Sequence, residues 1–170
     1  MECCYCKECK IIGGLHGLPP PPPEGGHQTR HTKRAGVVVC NKEKDRVLLV
    51  QSKGYKWGFA KGHVEEGEKV RETAIRELLE ETGIRATQFN NYINVFNLAI
   101  YYIHELENTL PPSSMILSDD PAHEITGMMW IKLSCLEILI KNKSIKINSH
   151  CKYILTSHFN ICGADILDAM

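Results

Sequence analysis

A chain of 170 residues, 43% hydrophobic and formally uncharged at pH 7, has the length of one domain and enough apolar side chains for a packed core. No run of about 18 apolar residues exists to span a bilayer, and residues 1–10 lack the apolar stretch of a secretory signal. The eight cysteines are therefore expected as thiols in a reducing, cytoplasmic setting. Zero net charge argues against non-specific nucleic-acid binding, yet the charge is unevenly spread. Residues 1–63 hold 11 Lys and Arg against 5 Asp and Glu; residues 64–170 hold 9 against 15. A polyanion can lie along the basic half and present one phosphate to the acidic half.

Residues 1–32 read as a leader and residues 33–170 as the folded domain. The leader carries Cys3, Cys4, Cys6 and Cys9, a proline run at 19–23 and paired glycines on either side of it. Consecutive prolines favour an extended polyproline helix and cannot enter a helix or a central strand. The Cys3, Cys6, Cys9 spacing with His16 has the look of a zinc knot, but a separated second ligand pair is missing, so reduced cysteines on a mobile tail are expected.

The spacing then predicts strands at 35–40 and 46–51, joined by the polar loop 41–45, and a short strand at 55–59. A helix follows at 73–82. Turning 100° per residue from Glu77, Glu81 falls at about +40° and Glu80 at about −60°. Ile75, Leu78, Leu79 and Thr82, with Ala74 at the edge, are expected to form the core face opposite these acids. Like charges so spaced destabilise an isolated helix by roughly 0.2–0.5 kcal/mol per pair. A hard cation among the oxygens offsets that cost, and an all-oxygen donor set selects Mg²⁺ or Mn²⁺. Gly83 suits the position just past the helix. Gly62 is expected to permit a turn that aims its carbonyl at the same ion. Further strands are expected at 88–92, 94–104 and 124–133, a surface loop at 108–121, and helices at 134–141 and 148–159, the last capped by Asn148 or Ser149. The order of elements is that of an α/β sandwich with a mixed sheet.

Gly62, Glu68, Arg76, Glu77, Leu78, Glu80, Glu81, Gly83 and Ile84 match, without a gap, the pattern G-x5-E-x7-R-E-U-x-E-E-x-G-U with U apolar. By these nine positions the chain resembles the Nudix hydrolases, over about residues 33–161. The resemblance implies the Nudix fold, an α/β/α sandwich with a mixed β-sheet. It implies hydrolysis of a nucleoside diphosphate linked to another group. It also implies a metal site of Gly62, Glu77, Glu80 and Glu81 with Glu68 as an outer ligand, and Arg76 holding a carboxylate in place. Glu81 and Glu124 are the expected catalytic acids; Glu124 is the foremost general base, with His63 and His123 as alternatives.

The run Trp57-Gly58-Phe59-Ala60-Lys61-Gly62 is similar to the W-G-F-P-K/R-G run of mRNA-decapping Nudix enzymes, including those of large DNA viruses. It departs from them at Ala60, where proline is usual. Diphosphoinositol- and diadenosine-polyphosphate hydrolases carry a similar run. Lys61 is expected to meet a phosphate. Tyr55, Trp57 and Phe96 are candidates for stacking on a base, among the nearby rings Phe59, Tyr101 and Tyr102, although alternating aromatics in strands are usually core. The expected substrate is the 5′ cap of mRNA. The alternatives are dinucleoside or inositol polyphosphates, for which the lysine-rich segment 141–146 offers a basic pocket, or a non-catalytic module that only binds nucleotide or RNA. A monomer is favoured, and no membrane partner is expected.

Overall fold

The structure is a computed structural model of the chain; it describes residues 9–13, 33–106, 117 and 124–161. Cys3, Cys6, His16 and His123, named above, lie outside the described residues. Nine strands form one mixed sheet. They are β1 (Lys10–Gly13), β2 (Arg34–Asn41), β3 (Arg46–Ser52), β4 (Lys56–Gly58), β5 (Ala60–His63), β6 (Asn91–Val95), β7 (Ala99–Leu106), β8 (Ile125–Lys132) and β9 (Lys146–Ile147). The main path runs β1-β8-β3-β2-β7-β6, with β5 on β2, β4 on β3, and β9 on β4. Strands β2 and β7 are parallel, and the crossover between them carries helix α1 (Val70–Thr82). Helices α2 (Leu133–Lys141) and α3 (Ser149–His158) complete the fold.

The sheet is apolar on both faces because helices cover both. In β2, Ala35, Val37 and Val39 turn toward α1 and pack with Ala74, Leu78, Met128 and Trp130. Val38 and Cys40 turn the other way, toward Leu136, Leu139, Ile154 and Leu155 of α2 and α3. A strand buried on both faces reads as a continuous apolar run, as 35–40 does. The expected α/β/α sandwich is what forms. Cys9, Cys40, Cys135 and Cys151 are buried, and none of the four is in a disulfide.

Four local expectations are corrected. Residues 10–13, read within a leader, form β1 and pair antiparallel with β8, Lys10 opposite Trp130. Cys9, read as part of a mobile tail, is buried, and its Sγ accepts from the Lys132 N–H at 3.2 Å. The single strand expected at 55–59 is two short ones, because after Gly58 the chain leaves β3 for β2. The strand expected at 94–104 is a hairpin, β6–β7, folded at Phe96 and Asn97, both with positive φ. The apolar run hid that turn, which has asparagine but no glycine to announce it.

Candidate active site

Helix α1 starts three residues before the expected Thr73. Glu72 Oε2 accepts from the Lys69 N–H at 3.0 Å and closes the first turn. At the far end Gly83, φ 77°, donates its N–H to the Leu79 carbonyl. The buried residues are Thr73, Ala74, Leu78 and Thr82, whereas Leu79 is 37% exposed. The core face is therefore turned from the expected one, toward Glu77. On the same wheel Ala74 lies at about +60° and Thr73 at about −40°. Glu77, at 0°, and Glu81, at about +40°, thus fall inside the buried arc and Glu80 outside it. Exposure follows that order: the Glu77 side chain is 14% exposed and that of Glu80 49%.

This placement sets the electrostatics. Burial pushes the Glu81 carboxyl up to about 8, helped by Glu77 and opposed by the Lys61 N–H, which donates to Glu81 Oε1 at 3.1 Å. Burial also raises Glu77, against the pull of Arg76. Glu68 is the reverse case: hydrogen bonds from Arg76 and Thr73 hold its carboxyl down at about 2. Arg76 grips Glu68 with two bonds, Nε to Oε2 at 2.8 Å and Nη2 to Oε1 at 3.0 Å. Its Nη1 reaches Glu77 Oε1 at 2.9 Å and Glu80 Oε2 at 3.2 Å, and Nη2 also donates to the His63 carbonyl. One guanidinium therefore ties three box glutamates to the end of β5.

Gly62 serves a different purpose from the expected turn. It lies in β5 outside the left-handed region, and a Cβ there would sit 1.8 Å from Glu77 Oε1. Glycine is needed because the carboxylate occupies the space of a side chain.

A cavity of about 550 Å³ opens where these parts meet. Its acidic lining is Glu65, Glu77, Glu80, Glu81 and Glu124, with Gly62 and His63 from β5. Its basic lining is Arg34, Lys53 and Lys61, and Glu124 stands just before β8, next to Ile125. Glu124 Oε1 is 3.4 Å from Lys53 Nζ. Burial lowers Lys61, and Arg34 lowers it further. His63 is lowered too, by burial and then by Arg34 and Lys61.

Does this donor set suit a divalent ion? Burial holds the Glu81 carboxyl at about 8 although Lys61 opposes the rise, and a divalent cation would offset the remaining cost of its charge. Glu77 and Glu80 share the same cavity, and the glycine cradle keeps it open. Among the described residues no three acidic, histidine or cysteine side chains already converge at ligand distances, because Arg76 draws Glu77 and Glu80 toward itself. Glu68 is sequestered by Arg76 and Thr73 and does not line the cavity. The residues fit the ion, with Glu68 outside its reach.

The aromatic candidates fare differently. Trp57 is fully buried in the core under α2 and α3 and does not reach the cavity; at the middle of β4 its ring is the volume that fills that core. Phe59 and Tyr101 are buried too, Tyr101 Oη lying 2.8 Å from His150 Nδ1. Tyr102 stacks on Phe89. Tyr55 lies outside the cavity lining with lysine ammonium groups over its ring. Phe96 is 55% exposed, against Tyr153 and beside His150, and does not line the cavity. Sequence reading missed Arg34 and Lys53. Nothing local marks them; Lys53, with φ 51°, becomes visible only once the β3–β4 turn is known.

The fold and this site define a class. The NUDIX domain family model matches residues 30–147, and the chain belongs to that family. Nudix hydrolases generally use divalent metal ions such as Mg²⁺ or Mn²⁺. The chain is 32% identical over 111 residues to the m7GpppN-mRNA hydrolase dcap-2 of Caenorhabditis elegans, covering 59% of this chain and 14% of that protein. It is 35% identical over 106 residues to the 111R protein of Invertebrate iridescent virus 3, covering 61% and 60%. The match thus spans less than two thirds of either relative. Among solved structures, DR0079 from Deinococcus radiodurans superposes with a TM-score of 0.56 at 14% identity, over 82% of this chain and 90% of that one, a likeness of fold alone. No helix among the described residues is long and apolar enough to cross a membrane.

Proposed function

We propose that this protein is a divalent-metal-dependent pyrophosphohydrolase that removes the 5′ cap of mRNA, releasing methylated GDP and 5′-monophosphate RNA. The observation that carries the hydrolytic reading is the mixed lining of the cavity: Glu77, Glu80 and Glu81 from α1 share with Arg34, Lys53 and Lys61 a space large enough for a pyrophosphate and its attached groups. Glu77, Glu80, Glu81 and the Gly62 carbonyl would hold Mg²⁺ or Mn²⁺. When bound, the ion neutralises phosphate oxygens and lowers the pKa of the attacking water. Arg76 and Glu68 fix the direction of the ligands. Lys61, Arg34 and Lys53 hold the phosphate oxygens and stabilise the charge that grows on them. Glu124 takes the water's proton as the oxygen bonds to one phosphorus and the bridging oxygen departs with the other phosphate.

The cap is favoured by the likeness to a protein named for m7GpppN-mRNA hydrolysis and by the run from Trp57 to Gly62 that leads into the cavity. A second reading, hydrolysis of dinucleoside or inositol polyphosphates in the cytoplasm, is favoured by one observation: Trp57 is core, so Phe96 is the one exposed ring left among the stacking candidates. Capped RNA with a labelled cap phosphate, run against diadenosine tetraphosphate, separates the two. Cap release should be far the faster, and equal or better use of the dinucleotide overturns the cap reading. Glu80→Gln and Glu81→Gln should each reduce turnover at least about a hundredfold in a folded protein; retention of more than about a tenth would mean that the ligands lie elsewhere.

A further inference from the structure

The cavity's basic side does not end at its rim. Strand β3 leaves it through a two-residue turn, Lys53-Gly54, both residues with positive φ, 51° and 69°. Glycine or asparagine suits the first of these positions; a lysine there is strained. The turn is held all the same. The Lys53 N–H donates to the Glu124 carbonyl at 2.7 Å, the Gly54 N–H to Thr126 Oγ1 at 2.8 Å, and the Tyr55 N–H to the Ser52 carbonyl at 3.0 Å. Tyr55 and Lys56 follow at once, no more than about 7–10 Å along the chain from Lys53.

Outside the turn, two lysines are placed side by side. Strands β4 and β9 pair in parallel with Lys56 in register with Lys146. Like charges in adjacent register destabilise a sheet. Both reach Tyr55: Lys146 Nζ donates to Tyr55 Oη at 3.1 Å, 5.2 Å from the ring centroid, and Lys56 Nζ lies 5.7 Å from the centroid. Among the described residues neither lysine forms an ion pair with a carboxylate, whereas Lys44, Lys53 and Lys141 each do. Lys146 is exposed and Lys56 half-buried. A tyrosine whose hydroxyl accepts from one ammonium group while its ring lies near the other holds two like charges together and leaves N–H donors unused.

We propose that Lys56 and Lys146, braced by Tyr55, bind the phosphodiester backbone of single-stranded RNA as it leaves the cavity past Lys53. This rests on the proposed cap substrate and extends it to the RNA body. The pair reads phosphates rather than bases, since its donors are ammonium groups without a carboxylate partner among the described residues. A strand extending about two or three nucleotides beyond Lys53 is long enough to reach the pair.

The test uses Lys56→Ala, Lys146→Ala and the double charge reversal Lys56→Glu/Lys146→Glu, checked for an unchanged melting curve. Binding of a fluorescein-labelled 5′-monophosphate 12-mer RNA is followed by anisotropy in EDTA across a salt series. Each alanine should weaken binding severalfold and flatten the slope of log K against log salt by about 0.7, and the reversal should weaken it more than about tenfold. With metal present, KM for capped RNA should rise while kcat stays, and hydrolysis of diadenosine tetraphosphate should be unaltered. Binding of the reversal variant within twofold of wild type overturns the inference and leaves the cap reading standing. A wild-type protein that hydrolyses the dinucleotide but neither binds the 12-mer nor releases the cap overturns both.

Discussion

The two sides of the cavity are built on different plans. The acidic side comes from one helix, where Glu77, Glu80 and Glu81 stand within five residues, and a single guanidinium ties Glu68, Glu77 and Glu80 together. The basic side is assembled from Arg34 at the start of β2, Lys53 in the β3–β4 turn and Lys61 in β5. No stretch of sequence holds more than one of those cations. The acidic side is a local motif that burial modifies; the basic side exists only because β3 and β5 both border β2. Damage to the first should therefore abolish chemistry at a point, and damage to the second should degrade it by degrees.

After the glutamates that would hold the metal, the largest expected effect that bears on this contrast is at Arg76. Arg76→Ala leaves Glu68, Glu77 and Glu80 without their common partner and should lower metal affinity and turnover by about 10–100-fold. Arg76→Lys should restore little, since a point charge cannot reproduce the paired bonds to Glu68. Calorimetric Mn²⁺ titration of both variants measures this. If Arg76→Lys bound Mn²⁺ like the wild type, the guanidinium's geometry would not be what organises the acids.

Gly62 is where the two sides touch, and it gives the next largest effect. An added methyl meets Glu77 at 1.8 Å, so Gly62→Ala must push the carboxylate aside or move β5. The expected cost is about 1–3 kcal/mol of stability, with a loss of Mn²⁺ affinity that Gly67→Ala should not share. Gly67, where an added Cβ meets nothing within 4 Å, differs in its left-handed φ of 78°. It therefore controls for backbone strain alone, by urea denaturation beside metal titration.

What could be read in advance followed the same division. The nine-residue pattern fixed the family, the acidic helix and Arg76's partnership with a carboxylate, because all of these are set within one helix and the turn before it. Depth was not legible. A wheel shows which residues share a face but not how that face is turned, and Glu81 was assigned to the wet side when it belongs to the buried arc. Trp57 shows the same limit: a tryptophan beside a motif reads equally well as a ligand-stacking ring or as core, and only the packing of α2 and α3 over β4 decides. Arg34 and Lys53 were unreadable because their meeting depends on strand order, which no local pattern encodes.

The smallest effect tests whether the basic side reaches into the core beneath it. His150, 9% exposed, has Tyr101 Oη against its Nδ1. Its value drops from 6.5 to about 4, chiefly by burial and then by Lys61 and Arg34. A base whose folded value lies below its unfolded value is held neutral by the fold. Stability from this group is therefore complete above about pH 6.5 and declines as pH falls toward 4, by at most about 3 kcal/mol. Urea denaturation at pH 7 and pH 5 should show that loss in the wild type and a smaller one in His150→Gln. Lys61→Ala removes one of the two cations that depress His150. Its imidazole should titrate at a higher pH, by NMR, and the acid loss should shrink. An unmoved imidazole would confine the reach of Lys61 to the cavity and leave burial alone to explain the neutral histidine.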